Sequence, residues 1–185
     1  MKAIRKINKI FDDMPLAKPF NLQKWVDEHR HLLKPPVGNQ QVYKGNDDYI
    51  VMVVGGPNGR KDYHWEEGEE LFYQLEGDIT LKIINEAGEP EDVPIREGEM
   101  FLLPPRIPHS PQRPANTIGL VIERYRHKGE KDKLMWFCEN CSNKLHEEAF
   151  ELEDIVAQLK AAINKFMDSE KLRTCDECGA VMEKA

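Results

Sequence analysis

Two short stretches, forty-odd residues apart and bounded by glycine or proline, place two histidines and a glutamate inside β-rich sequence. The first runs from Gly59 to Gly77 (GRKDYHWEEGEELFYQLEG) and the second from Gly98 to Arg113 (GEMFLLPPRIPHSPQR). His64 and Glu70 stand six positions apart, and His109 follows a proline-rich turn. Two imidazoles and one carboxylate on one face of a metal suit ferrous iron. They leave the opposite face open for an organic molecule and dioxygen together. A chain that brings these three groups to one point needs several strands wrapped around a common interior.

The surrounding texture agrees. From Gln40 to about Arg126, short β-rich runs (DYIVMVVGG, ELFYQLEG, DITLKII, EMFLLPP, IGLVIERY) alternate with Gly, Pro, Asn and Asp turns, the spacing of an all-β sandwich or barrel. Glu76-Gly77-Asp78 and Glu86-Ala87-Gly88-Glu89 read as hairpin turns. Ahead of the strands, residues 21–33 form an amphipathic helix, with Asn21 as N-cap and Pro35-Pro36 as the stop. After Tyr125 the charged run RHKGEKDK suits a linker or exposed loop, dividing the chain into 1–130 and 131–185. In the second part, apolar residues at Phe150, Ile155, Leu159, Ile163 and Phe166 predict a helix over 147–168.

Composition narrows the classes. At 185 residues the chain can bury one good core plus a small appendage. A net charge of −7 argues against general nucleic-acid binding, which needs a surplus of Lys and Arg. No apolar run approaches the roughly eighteen residues of a membrane span. The opening MKAIRKINKIFDDMP is interrupted by acids and lacks a small-residue cleavage site, so a cytoplasmic, reducing location is expected.

The two stretches resemble the paired motifs of the cupins. In the first, Gly59 is followed by four residues rather than the usual five before His64, and Glu70 and Gly77 have six residues between them. Glu66 replaces the second expected histidine. In the second, Gly98, Pro104 and His109 keep their offsets, while Arg106 replaces the usual Gly and Arg113 the usual Asn. On one strand, residues 64, 66, 68 and 70 would share a face, so both His64 and Glu70 point inward only if local turns allow it, and Glu66 is a rival carboxylate ligand. His29, His31 and His127 read as ordinary surface or core histidines, and His146 as a spare beside the cysteines. Arg60 and Arg113 flank the motifs in an acidic protein. This suggests an anionic substrate held through paired guanidinium hydrogen bonds; the plainer reading pairs either with a surface Glu. Glu123, inside the apolar strand GLVIERY, needs a partner, a metal or a substrate proton.

Cys138-x-x-Cys141 and Cys175-x-x-Cys178 make a metal signature, in which four thiolates form a closed tetrahedral site for iron or zinc with a structural role. The other readings of the four are disulfides or a redox-active pair.

Nearly the whole chain resembles one family, the 3-hydroxyanthranilate 3,4-dioxygenases in their single-cupin form. The shared features are the N-terminal helix, KPPVGN at 34–39, GPNGRKDYHWEEGEELFYQLEGD, LLPPRIPHSPQRP, LVIER and the four-cysteine tail. The resemblance implies a cupin barrel (a double-stranded β-helix) with an N-terminal helix and a small helical, rubredoxin-like C-terminal metal unit. It implies catalytic Fe(II) on His64, Glu70 and His109, and a second iron or zinc on Cys138, Cys141, Cys175 and Cys178. Arg60 would lie near the dioxygen site, Arg113 and Glu123 would contact substrate, and Asn39 would line the pocket. The implied reaction joins O2 to a small aromatic acid to give 2-amino-3-carboxymuconate semialdehyde, the quinolinate precursor of kynurenine-route tryptophan catabolism or NAD synthesis, in a homodimer. The rival readings are a cupin metalloenzyme acting on a different carboxylated aromatic, a non-catalytic metal- or ligand-sensing cupin, and a scaffold whose cysteine tail is an interaction module.

Overall fold

The computed structural model describes residues 18–35, 38–43, 48–153 and 155–184. The opening 1–15, Pro36 and part of KPPVGN lie outside the described residues. Helix α1 spans Leu22–His29, capped by Asn21, whose side-chain oxygen accepts from the Lys24 N–H at 2.8 Å. A 3-10 turn at Arg30–Leu32 finishes the expected helical segment. Val26 is fully buried and packs with Leu33, Val53 and Ile118, fastening α1 to the barrel.

Among the described residues twelve strands follow: β1 (Asn39–Gln41), β2 (Tyr49–Gly55), β3 (Asn58–Gly59), β4 (Tyr63–Trp65), β5 (Glu70–Glu76), β6 (Ile79–Ile84), β7 (Pro90–Ile95), β8 (Met100–Leu103), β9 (His109–Arg113), β10 (Ile118–Arg124), β11 (Asp132–Phe137) and β12 (Lys144–Phe150). They form two antiparallel sheets, β1-β2-β10-β5-β8 and β12-β11-β4-β9-β6-β7, with β3 pairing β9. Side-chain alternation sets what each sheet buries. On β5, Glu70, Phe72 and Gln74 point inward while Leu71 and Tyr73 are half-exposed. Ile50, Met52, Phe72 and Val121 of the first sheet meet Ile79, Leu81, Ile83 and Ile95 of the second in one apolar core. This is the expected cupin architecture. Among the described residues no helix is long and apolar enough to cross a membrane.

Of three local expectations, two change. The segment 76–78 is not a hairpin: β5 and β6 belong to different sheets, and the chain turns a corner there. Gly77 takes φ +64°, and a Cβ on it would meet the Thr117 methyl at 3.0 Å. The turn at 86–89 does join paired strands, with Asn85 Oδ1 accepting from the Ala87 and Glu89 N–H groups at 3.1 and 3.0 Å. Residues 144–150 form β12 rather than the start of a helix, because β11 offers them a ladder with Asp132 opposite Phe150. Helix α2 therefore begins later, over Ile155–Asp168, and a short α3 (Glu170–Arg173) follows.

The charged run after Tyr125 is not an exposed loop throughout: Asp132 has no exposed surface, and the Arg126 side chain is only 5% exposed. The expected division at 130/131 falls immediately before β11, which pairs with β4 in the barrel sheet. A second apolar cluster, Leu134, Trp136, Ala162, Phe166 and Met182, joins β11 to α2, with the Trp136 and Phe166 rings stacked at 4.3 Å. Phe166→Ala is expected to destabilise the protein by about 3–5 kcal/mol through loss of this fully buried ring. Denaturant unfolding checks this, and a loss under about 1 kcal/mol would show that the cluster repacks.

Candidate metal centre

Strand β4 ends at Trp65 and β5 begins at Glu70, so the chain changes sheets between His64 and Glu70. That break removes the alternation problem, since the two side chains reach the same interior from opposite sheets. His64 stands directly across from His109 in the β4–β9 ladder, and Glu70 across from Glu123 in the β5–β10 ladder. One donor atom from each of His64, Glu70 and His109 lies within 4.8 Å of the others, and all three residues are buried. Glu66 is brought beside Glu70 and Glu123 instead.

The hydrogen bonds fix which ring nitrogens are free. His109 Nδ1 lies 3.0 Å from the Ile107 carbonyl, which can only accept, so Nδ1 carries the proton and Nε2 presents its lone pair. His64 Nε2 donates to Asp132 Oδ2 at 2.7 Å, leaving Nδ1 free. In the neutral ring that His109 Nε2 lone pair faces Glu70 Oε2 at 2.7 Å, a contact that either a proton on Nε2 or a metal ion shared by the two groups satisfies. Burial opposes charge on both, yet the pairing raises the His109 pKa and lowers that of Glu70. A metal fits the donor set, and each histidine has the backbone or carboxylate partner typical of a ligating imidazole.

Asp132 and Arg126 were not among the residues expected from sequence. Arg126 grips Asp132 through Nε at 2.8 Å and Nη2 at 2.7 Å, and its Nη1 lies 3.0 Å from Glu123 Oε2 and 2.9 Å from Glu66 Oε2. Burial opposes ionisation of Asp132, but the bonds from His64 and Arg126 prevail and bring its pKa down to about 2. Burial, with the neighbouring Glu123 charge, pushes the Glu66 carboxyl up to about 10, so Glu66 is neutral. Glu123 Oε1 is buried, and among the described residues its neighbour is the neutral Glu66 carboxyl. A readable signal existed in DKLMWF, a strand whose inward face runs Asp132, Leu134, Trp136, with an acid opening an otherwise apolar row.

A cavity of about 600 Å³ opens onto the two histidines and Glu70, and Asn39, Arg60, Phe72, Arg113 and Glu123 line it. A larger groove of about 820 Å³ lies elsewhere and reaches Glu123 and Arg126 but neither histidine. Arg60 is ion-paired to the buried Asp62, which outweighs burial and raises the arginine's pKa. Arg113 differs. It is 4% exposed, its recorded bond is to neutral Gln74 at 3.3 Å, and among the described residues no carboxylate pairs with it. Burial lowers its pKa to about 10, which leaves it charged at neutral pH. Room for its guanidinium exists because residue 119 is glycine; a Cβ there would come within 2.9 Å of Nη1. Arg106, in the place of the usual glycine, keeps a φ of +66° and pairs with Glu67 at 2.6 Å.

The four cysteines converge separately, with Cys138–Cys178 and Cys141–Cys175 sulfurs each 3.6 Å apart. That is far beyond a disulfide bond of about 2.05 Å. It is close to the roughly 3.8 Å edge of a tetrahedron with metal–sulfur bonds of about 2.3 Å. The two turns match: the Ser142 and Gly179 N–H groups donate to the Cys138 and Cys175 carbonyls at 2.8 and 2.9 Å. His146 lies outside this group and stacks on Trp136.

The chain is 54% identical to a 3-hydroxyanthranilate 3,4-dioxygenase of Xanthomonas euvesicatoria pv. vesicatoria, over 89% of this chain and 92% of the relative. It is 55% identical to one from Ruegeria pomeroyi (91% and 93% covered) and 48% identical to one from Neurospora crassa (91% and 92% covered). Among solved structures, a cupin-2 domain protein from Shewanella frigidimarina aligns with a TM-score of 0.44 at 18% identity, over 56% of this chain and 99% of that one. The family model described as 3-hydroxyanthranilic acid dioxygenase matches residues 14–167, and the chain belongs to that family.

Proposed function

We propose that the chain is a ring-cleaving dioxygenase converting 3-hydroxyanthranilate and O2 to 2-amino-3-carboxymuconate semialdehyde, with Fe(II) held by His64, Glu70 and His109. The observation that carries this reading is Arg113, a buried, charged guanidinium that no carboxylate pairs with among the described residues, in the same cavity as the two-histidine-one-glutamate set. Such a group calls for an anion, and the substrate's carboxylate supplies one through two parallel hydrogen bonds. Ferrous iron contributes the one-electron chemistry that lets triplet dioxygen react with a closed-shell aromatic ring.

The remaining work falls to side chains. Arg113 holds the carboxylate and sets the ring's orientation, and Phe72 gives the cavity an apolar face. Glu123, buried in the cavity wall, accepts the proton of the substrate's hydroxyl while Arg126 fixes Oε2. Arg60, held by Asp62, offers positive charge where negative charge develops on oxygen. Asn39 contributes a polar group to the cavity wall. The bond between ring carbons 3 and 4 breaks and each carbon receives one oxygen atom of O2, so no other oxidant or reductant is needed. At the cysteine site, iron or zinc fits the four sulfurs.

The test is anaerobic loading with ferrous iron, then addition of 3-hydroxyanthranilate and air. Oxygen uptake should match the transient near-ultraviolet absorbance of the ring-opened product one to one; iron-loaded protein that takes up no oxygen would reject this substrate. His109→Ala should lose catalytic-site iron while circular dichroism stays native. Asp132→Asn should weaken iron binding by roughly 10–100-fold in chelator competition, because a neutral amide replaces the carboxylate that both the His64 ring and Arg126 bond to. Full iron retention in His109→Ala would sink the ligand assignment. Arg113→Met should weaken transition-state binding of 3-hydroxyanthranilate by about 2–5 kcal/mol in kcat/KM. The same change should leave 2-aminophenol, which lacks the carboxylate, nearly unaffected; equal losses on both would deny the carboxylate contact.

A further inference from the structure

One side of the catalytic cavity comes from outside the barrel strands. Leu159, Lys160, Ile163 and Asn164 line it, positions that recur along one face of α2. Leu159 and Ile163 also pack against the buried cluster of Leu134, Trp136, Ala162, Phe166 and Met182. The same two side chains therefore meet both the substrate space and the core that anchors the helix. A 14-residue helix is marginal alone, so the position of α2 depends on that core.

The core in turn is bracketed by the four cysteines. Trp136 stands two residues before Cys138 at the end of β11. Met182 follows the second cysteine turn, where Thr174 bridges Val181 and the Met182 N–H donates to the Arg173 carbonyl at 2.9 Å. Between the two cysteine turns, the chain runs out through β12 and back through α2 and α3. Joining the turns through one metal closes that excursion around the Trp136–Phe166 stack, which is the contact that seats α2.

We propose that the four-cysteine site is a clamp that positions α2 as a wall of the substrate cavity, so that its metal sets affinity for the aromatic substrate without touching the catalytic iron. The proposal rests on the dioxygenase reading of the cavity. Leu159 and Ile163 give the ring apolar contact, while Lys160 and Asn164 form the exposed polar rim. The four cysteines are positioning residues: they act through α2 and reach neither substrate nor the two histidines.

Two variants of the full-length, metal-loaded protein test this. Ile163→Ala should raise KM for 3-hydroxyanthranilate roughly tenfold while catalytic iron is retained. Cys178→Ser should reproduce that KM rise while keeping catalytic iron. In amide hydrogen exchange it should lose protection along α2, with β4 and β9 still protected. If Cys178→Ser does not fold, stripping the cysteine-site metal from the native protein with a chelator and reading α2 exchange makes the same comparison. Unchanged KM in Ile163→Ala overturns the wall, and unchanged α2 protection without the cysteine-site metal overturns the clamp. Absence of oxygen uptake by the unmodified, iron-loaded protein would instead defeat the dioxygenase reading, and the exchange experiment, which needs no substrate, would still decide the clamp.

Discussion

The site is organised by a buried guanidinium. Glu66, Glu70, Glu123 and Asp132 are all buried within one end of the barrel, and Arg126 reaches three of them. Buried carboxylates are costly unless each is paired or neutralised. Glu66 escapes the cost by staying protonated, since burial and the Glu123 charge raise its pKa to about 10. Asp132 stays ionised because the bonds from His64 and Arg126 outweigh its burial, and the pairing with His109 likewise favours ionised Glu70 over the effect of burial. On the proposed reading, a divalent cation held by His64, Glu70 and His109 would offset buried negative charge, and a substrate carboxylate would pair with Arg113.

The same arginine has a mechanical consequence. Glu66 belongs to the turn between β4 and β5, Glu123 to β10, and Asp132 to the start of β11, so one side chain ties together three segments from both sheets. The apolar core of Ile50, Phe72, Leu81 and Val121 holds the sheets together without direction. The charged network is directional and holds the His64 ring and the carboxyl groups of Glu66, Glu123 and Asp132 in place. Asp132 links the two roles, accepting from Arg126 on one side and from His64 on the other.

Much of this was legible in the sequence because the informative residues are locally unusual. Glycines and prolines at the edges of both motifs announce turns, and the histidines between them stand on β-rich ground. The strand runs DYIVMVVGG and IGLVIERY appear as β2 and β10. Arg126 and Asp132 were hidden because a charged run ordinarily marks solvent, and local composition carries no information on whether charges have buried partners across the fold. Glu76-Gly77-Asp78 misled for a related reason: the turn chemistry of a corner between sheets is the same as that of a hairpin, and only pairing beyond the turn separates them. Phe150 fitted a helical spacing with Ile155 and Leu159, but its partner Asp132 is eighteen residues back along the chain.

That last pairing bears on how the C-terminal segment relates to the barrel. Strand β4, which carries His64, has only three residues, too few to hold a position by itself. On one side it meets β9 through the single pair His64–His109. On the other, all three of its residues pair with β11, as Tyr63 with Met135, His64 with Leu134 and Trp65 with Lys133. Lys133 also lies over the Trp65 ring, 4.5 Å from its centroid. The backbone that seats His64 is therefore supplied mainly by the strand leading into the first cysteine pair. The second half of the chain builds the site as well as covering it: it contributes the ladder behind His64, the carboxylate that orients its ring, and the helix along one side of the cavity.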